Sequence, residues 1–393
     1  MFKTILALPR TVWLIGLISL VNDSASEMLY PLMPLYLASV LMAGPKALGV
    51  IEGIAEATSS IFKLVSGVIV DRTKKAKPWI VLGYSLAGIG RPLIAIASSW
   101  MWVLAIRFTD RMGKGLRSSP RDALLAESVN ENQRGVTFGL HRSMDNAGAV
   151  IGPLLAALFL SMGVPLKDIF LWAIVPAVIT ITLALCIKEP QREAVPQASK
   201  FSWSLTGMPN SFKRYLVVAG IFALANSSDM FLLLRAREAG VPQEQIPLLW
   251  AAISLITTVF GTPLSALSDT FGRKRFILIA WLAFACFYIA MGLPGISIYQ
   301  IFALFGVYGL FKAATEGVEK ALVADMAPKG LAGTAFGWFN LITGLMLFPA
   351  SFIFGWIYEV VAPLYAFLFS GGCALIAFIL MAFWVDRSIP ESK

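Results

Sequence analysis

Apolar residues in this chain come in long runs rather than in alternation with polar ones. A helix that crosses a hydrocarbon layer needs about 20 mostly apolar residues. Such runs recur near 12–41, 47–70, 78–97, 100–126, 135–162 and 167–188, and again near 213–237, 243–268, 275–294, 297–325, 332–360 and 363–386. Most joining segments are only a few residues long, as between antiparallel neighbours. Residues 189–212 differ, with Pro190, Pro196, Ser199, Ser202 and Pro209 among scattered charges, and read as a linker. The pattern predicts an all-α membrane protein with twelve transmembrane helices in two six-helix bundles, 1–188 and 213–393. Six spans per half is an even number, so the halves are parallel repeats.

The two halves also repeat each other in sequence. Asp71-Arg72-Thr73-Lys74-Lys75 recurs loosely 198 positions later as Asp269-Thr270-Phe271-Gly272-Arg273. The same shift lays Asp122–Glu127 over Lys320–Asp325, and Gly135, Phe138 and Gly139 over Gly333, Phe336 and Gly337. A duplicated unit with a shared interface accounts for matches at one constant offset.

Composition agrees with the hydropathy pattern. The chain is 58% hydrophobic and 14% charged, with a mean hydropathy of +0.75, whereas soluble domains carry about 25% charged residues. The net charge of +9 would suit nucleic acid, but its placement points elsewhere. Lys74, Lys75, Lys77, Arg192, Lys200, Lys213, Arg214, Arg273, Lys274, Arg275 and Lys329 fall in loops on one side, and the opposite loops hold little beyond Lys46 and Lys167. This positive-inside pattern puts both termini and the linker in the cytoplasm, with the basic loops facing anionic lipid. Nucleic acid is not an expected partner. Cys186, Cys286 and Cys373 have no metal or disulfide spacing and read as small core residues. The first span runs past Asp23 and Glu27 into Pro31 and Pro34 and looks retained rather than cleaved.

The segment between the second and third spans holds Gly67, Asp71, Arg72, Lys74 and Lys75. It resembles the signature loop Gly-x-x-x-Asp-Arg-x-Gly-Arg-Lys of the major facilitator superfamily, with Lys74 where the family has Gly. The second copy has Asp269, Gly272, Arg273 and Lys274, with Ser265 in place of the first Gly. The resemblance covers essentially the whole chain and implies the two-bundle fold with a cytoplasmic gate. In that gate Asp71 would face the helix start near Gly333 and Asp269 the one near Gly135, as acids face positive dipole ends. The adjacent cations, Arg72, Lys75 and Arg273, would pair with Asp122 or Glu127 and with Glu319 or Asp325. Charges that only fix topology are the alternative.

In the fifth span, Gly139, Gly148, Gly152 and Pro153 reproduce a Gly-x8-Gly-x3-Gly-Pro pattern that looks like the one in antiporters of this superfamily. Ala156 and Ala157 stand where that pattern has paired Gly. Small residues at these spacings let helix backbones approach, and Pro153 bends the helix. The span 4 series Arg107-x-x-Asp110-x-x-Gly113-x-Gly115 resembles an element of proton-linked members. Arg117 and Arg121 are placed to snorkel to the surface; Arg107 and Arg111 are too deep to do so.

Intramembrane charge is costly and marks function by default. Asp23 and Glu27, four apart, share a helix face, as do Glu52 and Glu56. Lys63, Arg91, His141 (the single histidine), Arg142, Asp145, Asp229, Lys312, Glu316 and Glu319 add to the set. Acids of this kind in span 1 and an Arg in span 4 serve proton coupling in the drug:proton antiporters the chain resembles. By that resemblance Asp23 and Glu27 form the proton or cation-substrate site and Arg107 modulates it. Buried ion pairs that only orient helices remain the alternative.

Three functions stay open. Proton-driven efflux of amphiphilic or cationic small molecules leads, on the span 1 acids and span 5 glycines. Transport of an organic anion, sugar phosphate or siderophore-like solute is supported by Arg91, Arg107, Arg111, Lys114 and Arg142. A non-transporting sensor or scaffold is the third. No phosphate-binding loop or catalytic constellation is present in the sequence, so neither an enzyme nor a cofactor is expected. The expected partners are a small-molecule substrate, protons and the lipid bilayer, for a monomer in a bacterial inner membrane.

Overall fold

In hydrocarbon a backbone must pair its own N–H and C=O groups, so long apolar runs become helices. The computed structural model describes residues 8–73, 75–130, 133–188, 205, 207–328 and 331–385. The side chains of residues 67–73, 134, 135, 266, 269, 316, 332 and 333 lie outside that description. Twelve helical spans follow in order: α1 Arg10–Ser39, α2 Pro45–Thr73, α3 Lys77–Leu93, α4 Trp100–Glu127, α5 Arg134–Ser161, α6 Leu166–Leu185, α7 Asn210–Glu238, α8 Ile246–Phe271, α9 Arg273–Gly292, α10 Ile298–Met326, α11 Ala332–Val360 and α12 Pro363–Phe383. Ten are long and apolar enough to cross a membrane by length and composition. The other two, α2 and α4, carry several charged residues each.

Three spans are interrupted among the described residues, α6 only at Ala173, and two of them where prolines or polar residues stand. Pro31 and Pro34 interrupt α1, whose chain passes through a tight turn at Tyr30–Leu32 before resuming at Met33. In α7 the helix stops at Ala225, and Asn226, Ser227 and Ser228 precede a restart at Met230. Between α8 and α9 the chain turns at Gly272, with φ +87°, a conformation open to glycine and strained for other residues.

The chain divides into two units. Unit 1 comprises Met1–Ala43, Ile54–Pro196 and Pro242–Ala251; unit 2 comprises Gly44–Gly53, Gln197–Val241 and Ala252–Lys393. The 198-residue shift carries the segment 44–53 residue for residue onto 242–251, so each half lends the other the matching piece. Within unit 1, α1 packs on α5 and α6, and α3 packs on α4 and α6. Within unit 2, α7 packs on α11 and α12, and α9 on α10 and α12. The packing repeats as the sequence does.

Interiors differ where packing agrees. Unit 1 buries Arg91, Arg107, Asp110, Arg111, Arg117 and His141. Unit 2 buries Trp281, Phe284, Tyr288, Phe305, Tyr308, Phe311 and Phe354, with Phe222 stacked on Trp281 at 4.3 Å and Phe287 on Tyr308 at 4.7 Å. Against the sequence reading, Cys186 and Cys286 are exposed rather than core, because the apolar outer face of a bundle accepts a thiol as readily as its interior.

Glycines set the closest approaches. A Cβ at Gly148 would come within 2.7 Å of the Leu20 carbonyl oxygen, and one at Gly152 within 2.7 Å of the Met28 nitrogen. These are backbone atoms of α1, which no rotamer change can move aside. Pro153 is buried next to this contact. Gly139, read from sequence as a packing residue, is exposed, and a Cβ there would meet nothing within 4 Å. The close contact begins at Gly148, about two and a half turns beyond the motif's first glycine. Gly→Ala within a helix gains about 0.8–1.0 kcal/mol of propensity, and overpacking costs about 1–3 kcal/mol. Thermal unfolding should therefore show Gly139→Ala unchanged or slightly stabilised, and Gly148→Ala and Gly152→Ala destabilised. Equal shifts at all three positions would contradict the packing.

Candidate functional site

The polar interior of unit 1 starts from one carboxylate. Asp110, 3% exposed on α4, accepts from Arg91 Nε on α3 at 3.1 Å and lies 3.6 Å from Arg107 Nη1 one turn away. Arg91 sits in the last turn of α3, where the helix dipole favours a cation. Its Nη1 donates to the carbonyl and side-chain oxygens of Asn22 at 3.2 and 3.1 Å. Asn22 in turn donates to Asp23 Oδ1 at 2.7 Å. An unbroken hydrogen-bonded chain thus runs from Asp110 through Arg91 and Asn22 to Asp23, across α4, α3 and α1.

Glycines bring these helices together. A Cβ at Gly113 would come within 2.5 Å of the Gly83 carbonyl oxygen, and one at Gly115 within 2.8 Å of the Ser59 carbonyl oxygen. These contacts hold α4 against α3 and α2. Across the second of them, Arg111 pairs with Glu56 at 3.2 Å. A small pocket is lined in part by Ser26, Tyr30, Arg91, Arg107 and Asp110.

Glu27, one turn beyond Asp23, has a partner that the sequence did not disclose. Trp250 Nε1 donates to Glu27 Oε2 at 2.7 Å, and the indole stacks on Tyr30 with 4.7 Å between ring centres. Trp250 belongs to unit 1 through the segment Pro242–Ala251. No sequence signal marks it, because a tryptophan in an apolar span reads as packing.

On α5, His141 Nε2 lies 2.8 Å from Ser19 Oγ of α1, and Nδ1 lies 3.5 Å from Asp145 Oδ2. Several expectations need correction. Arg117 does not reach the surface: it is 4% exposed and its guanidinium lies 4.5 Å over the Tyr84 ring, where cation–π attraction offsets part of its desolvation. Lys63, Lys114 and Arg142 have accessible side chains, yet Lys114 lies near Arg111, Glu56, Asp23 and Glu27, and Arg142 near His141 and Asp145, so the last two keep their charge within reach of the interior acids. Glu52 and Glu56 share one helix but not one unit, since the unit boundary falls between them.

In unit 2, Asp229 at the break of α7 accepts from Lys312 Nζ at 2.7 Å and from the Tyr308 hydroxyl. Arg273, just after Gly272, pairs with Asp325 and donates to the Ala321 carbonyl at 2.7 Å. Glu319 instead accepts from Trp281 Nε1 at 3.2 Å. In unit 1, Asp122 pairs with its neighbour Arg121 at 3.0 Å, and Lys75 is exposed. The side chains at Gly67, Asp71, Arg72 and Asp269 lie outside the described residues. Among the described residues no group of three or more His, Cys, Asp or Glu is placed to hold a metal ion.

The chain matches the family model for the Major Facilitator Superfamily over residues 15–236 and 215–393. It is 31% identical over 386 residues to an uncharacterised MFS-type transporter of Methanocaldococcus jannaschii, covering 96% of this chain and 95% of that one. A multidrug resistance protein, MdtH, of Salmonella paratyphi B is 23% identical over 326 residues, covering 79% of this chain and 77% of MdtH. The crystal structure of a POT family transporter in complex with 5-aminolevulinic acid superposes with a TM-score of 0.80 at 12% identity, over 97% of this chain and 99% of that one. With its helices broken at prolines and polar turns, its duplicated packing and its charged interior, this chain belongs to the major facilitator superfamily of membrane transporters.

Proposed function

We propose that the protein is a proton-coupled antiporter that exports amphiphilic or cationic compounds by alternating access. The observation that carries this reading is Glu27, a carboxylate held by the Trp250 indole beside the Trp250–Tyr30 stack. An acid at the edge of an aromatic stack suits an organic cation, which gains Coulomb attraction from the acid and cation–π attraction from an outer ring face. A proton on the same acid competes with that cation, and competition for one carboxylate is what exchange requires. Asp23, one turn away, is tied through Asn22 and Arg91 to Asp110, so a change of charge at α1 is felt at α4. Arg107 beside Asp110 modulates that link.

The arginines that favour an anionic solute already have acids of their own. Arg91 and Arg107 share Asp110, and Arg111 has Glu56. The anion reading keeps one supporting observation, the small pocket lined by Arg91 and Arg107. Arg273 with Asp325, and Gly67, Asp71, Arg72, Lys75, Asp122, Asp269, Gly272 and Glu319, are assigned to the cytoplasmic gate. The protein is taken as a monomer in a bacterial inner membrane with both termini in the cytoplasm.

In liposomes with an imposed pH gradient, wild-type protein should drive ethidium against its concentration gradient, and Asp23→Asn with Glu27→Gln should abolish that drive. Full retention in the double variant would remove the α1 acids from the mechanism. A thermal-shift screen separates the substrate classes, because a ligand stabilises the state it binds. Aromatic cations should raise the unfolding temperature of wild type and lose most of that effect in Trp250→Leu. Stabilisation by organic anions alone, lost in Arg107→Ala, would reverse the assignment.

A further inference from the structure

Ser19, Asp23 and Glu27 stand at four-residue steps on α1, one turn or about 5.4 Å apart along one face. On α5, His141 and Asp145 are likewise one turn apart. The glycine contacts hold the two rows in register. Ser19 Oγ meets His141 Nε2 at 2.8 Å. One step on, Asp23 Cβ lies 3.1 Å from where a Gly148 Cβ would stand, and beyond it the Glu27 carbonyl carbon lies 3.0 Å from the equivalent point at Gly152. Polar groups therefore climb the α1–α5 contact from Ser19 and His141, through Asp145 and Asp23, to Glu27.

The lower end of this ladder is sealed: Ser19 is 1% exposed and His141 5%. The Asp145 carboxylate hydrogen-bonds with Ser19, while its Oδ1 is buried with no hydrogen-bond partner among the described residues, an acceptor position left for a proton donor. The charged groups facing the imidazole and Asp145 are Asp23 of α1, Arg121 and Asp122 of α4, and Arg142 of α5 itself. They are balanced, two acids and two cations, so a proton entering there is neither trapped nor expelled by net charge.

We propose that Ser19, His141 and Asp145 form a proton relay that feeds Asp23 and Glu27. The carboxylate beside Nδ1 favours the tautomer with hydrogen on that nitrogen, which leaves Nε2 to accept from the Ser19 hydroxyl. A proton that reaches Nε2 makes the ring an imidazolium, and the Nδ1 proton passes to Asp145. The ring is then neutral again as the other tautomer, with Nε2–H donating to Ser19 Oγ; the first tautomer returns by proton exchange, one proton leaving Nε2 as another arrives at Nδ1, once Asp145 has handed its own on to Asp23. One proton enters and one leaves; no bond between heavy atoms changes. Ser19 is a positioning residue that fixes the ring. The relay rests on the proton-coupled reading above and adds its route.

The test separates coupling from carriage. Ethidium is followed in liposomes in two modes: accumulation driven by a pH gradient, and exchange at equal pH on both sides, which needs binding and alternating access but no net proton movement. His141→Gln keeps a hydrogen-bonding group against Ser19 but cannot pass a proton between two ring nitrogens. It and Asp145→Asn should lose roughly a hundredfold in driven accumulation, the low end of what a positioned proton-transfer group contributes, with exchange retained. Retained drive in His141→Gln, beside a driven wild type, overturns the relay alone. Loss of drive and exchange together also overturns it, because a helix clasp would give that result. A wild type that exchanges but ignores the gradient overturns the coupled reading itself. Infrared difference spectra on acidifying the purified protein need no substrate. Imidazole and carboxyl bands should change together in wild type, and Asp145→Asn should lose the carboxyl change that accompanies the imidazole one; an unaltered carboxyl change in Asp145→Asn overturns the relay.

Discussion

Two helix backbones in direct contact set the terms for the rest of unit 1. At Gly148 and Gly152 the backbone of α5 lies against that of α1, with no side chain between them. In a membrane there is no hydrophobic gain from bringing helices together, so packing contact and hydrogen bonds must hold them. Contact this close gives both. It also fixes the height of each α1 side chain relative to α5 to within a fraction of a turn. The pairing of Ser19 with His141 and the position of Asp23 follow from that register. A bulkier α5 would leave the same residues in the chain but not in reach of one another.

The second constraint is electrostatic. Moving charges out of water costs several kcal/mol per ion even after relaxation, so buried ions are kept only in mutually compensating sets. In unit 1, Asp110 answers Arg91 and Arg107, Glu56 answers Arg111, and Tyr84 offers its face to Arg117. Unit 2 meets the same packing problem with aromatic rings. At the positions corresponding to Arg107 and His141 it has Phe305 and Phe339, both buried. Duplication preserved the helix contacts and left the interiors free to diverge, because packing needs only volume whereas a charge needs its partner.

The spans were legible because a crossing helix requires length and apolarity, and nothing else in a chain of this composition offers both. The acids Asp23, Glu27 and Asp110 were legible because charge inside an apolar run has few explanations. Their partners were less so. Trp250 stands 223 positions from Glu27 and carries no local mark, and Ser19 looks like any small residue in a span. Arg117 misled because a long side chain near a helix end can reach water, and only the presence of Tyr84 beside it decides otherwise. Gly139 misled because a motif spacing states which helix face a residue occupies, not whether another helix is there. Local pattern reports each element's own needs; a partner from a distant element leaves no trace in it.

The reciprocal loan of ten-residue segments makes each unit depend on both halves of the chain. Unit 1 takes Trp250, the partner of Glu27, from the second half of the sequence, and unit 2 takes the buried Glu52 from the first. Neither unit is therefore encoded by one half of the chain alone, and a half made by itself would lack the ten residues that its unit takes from the other.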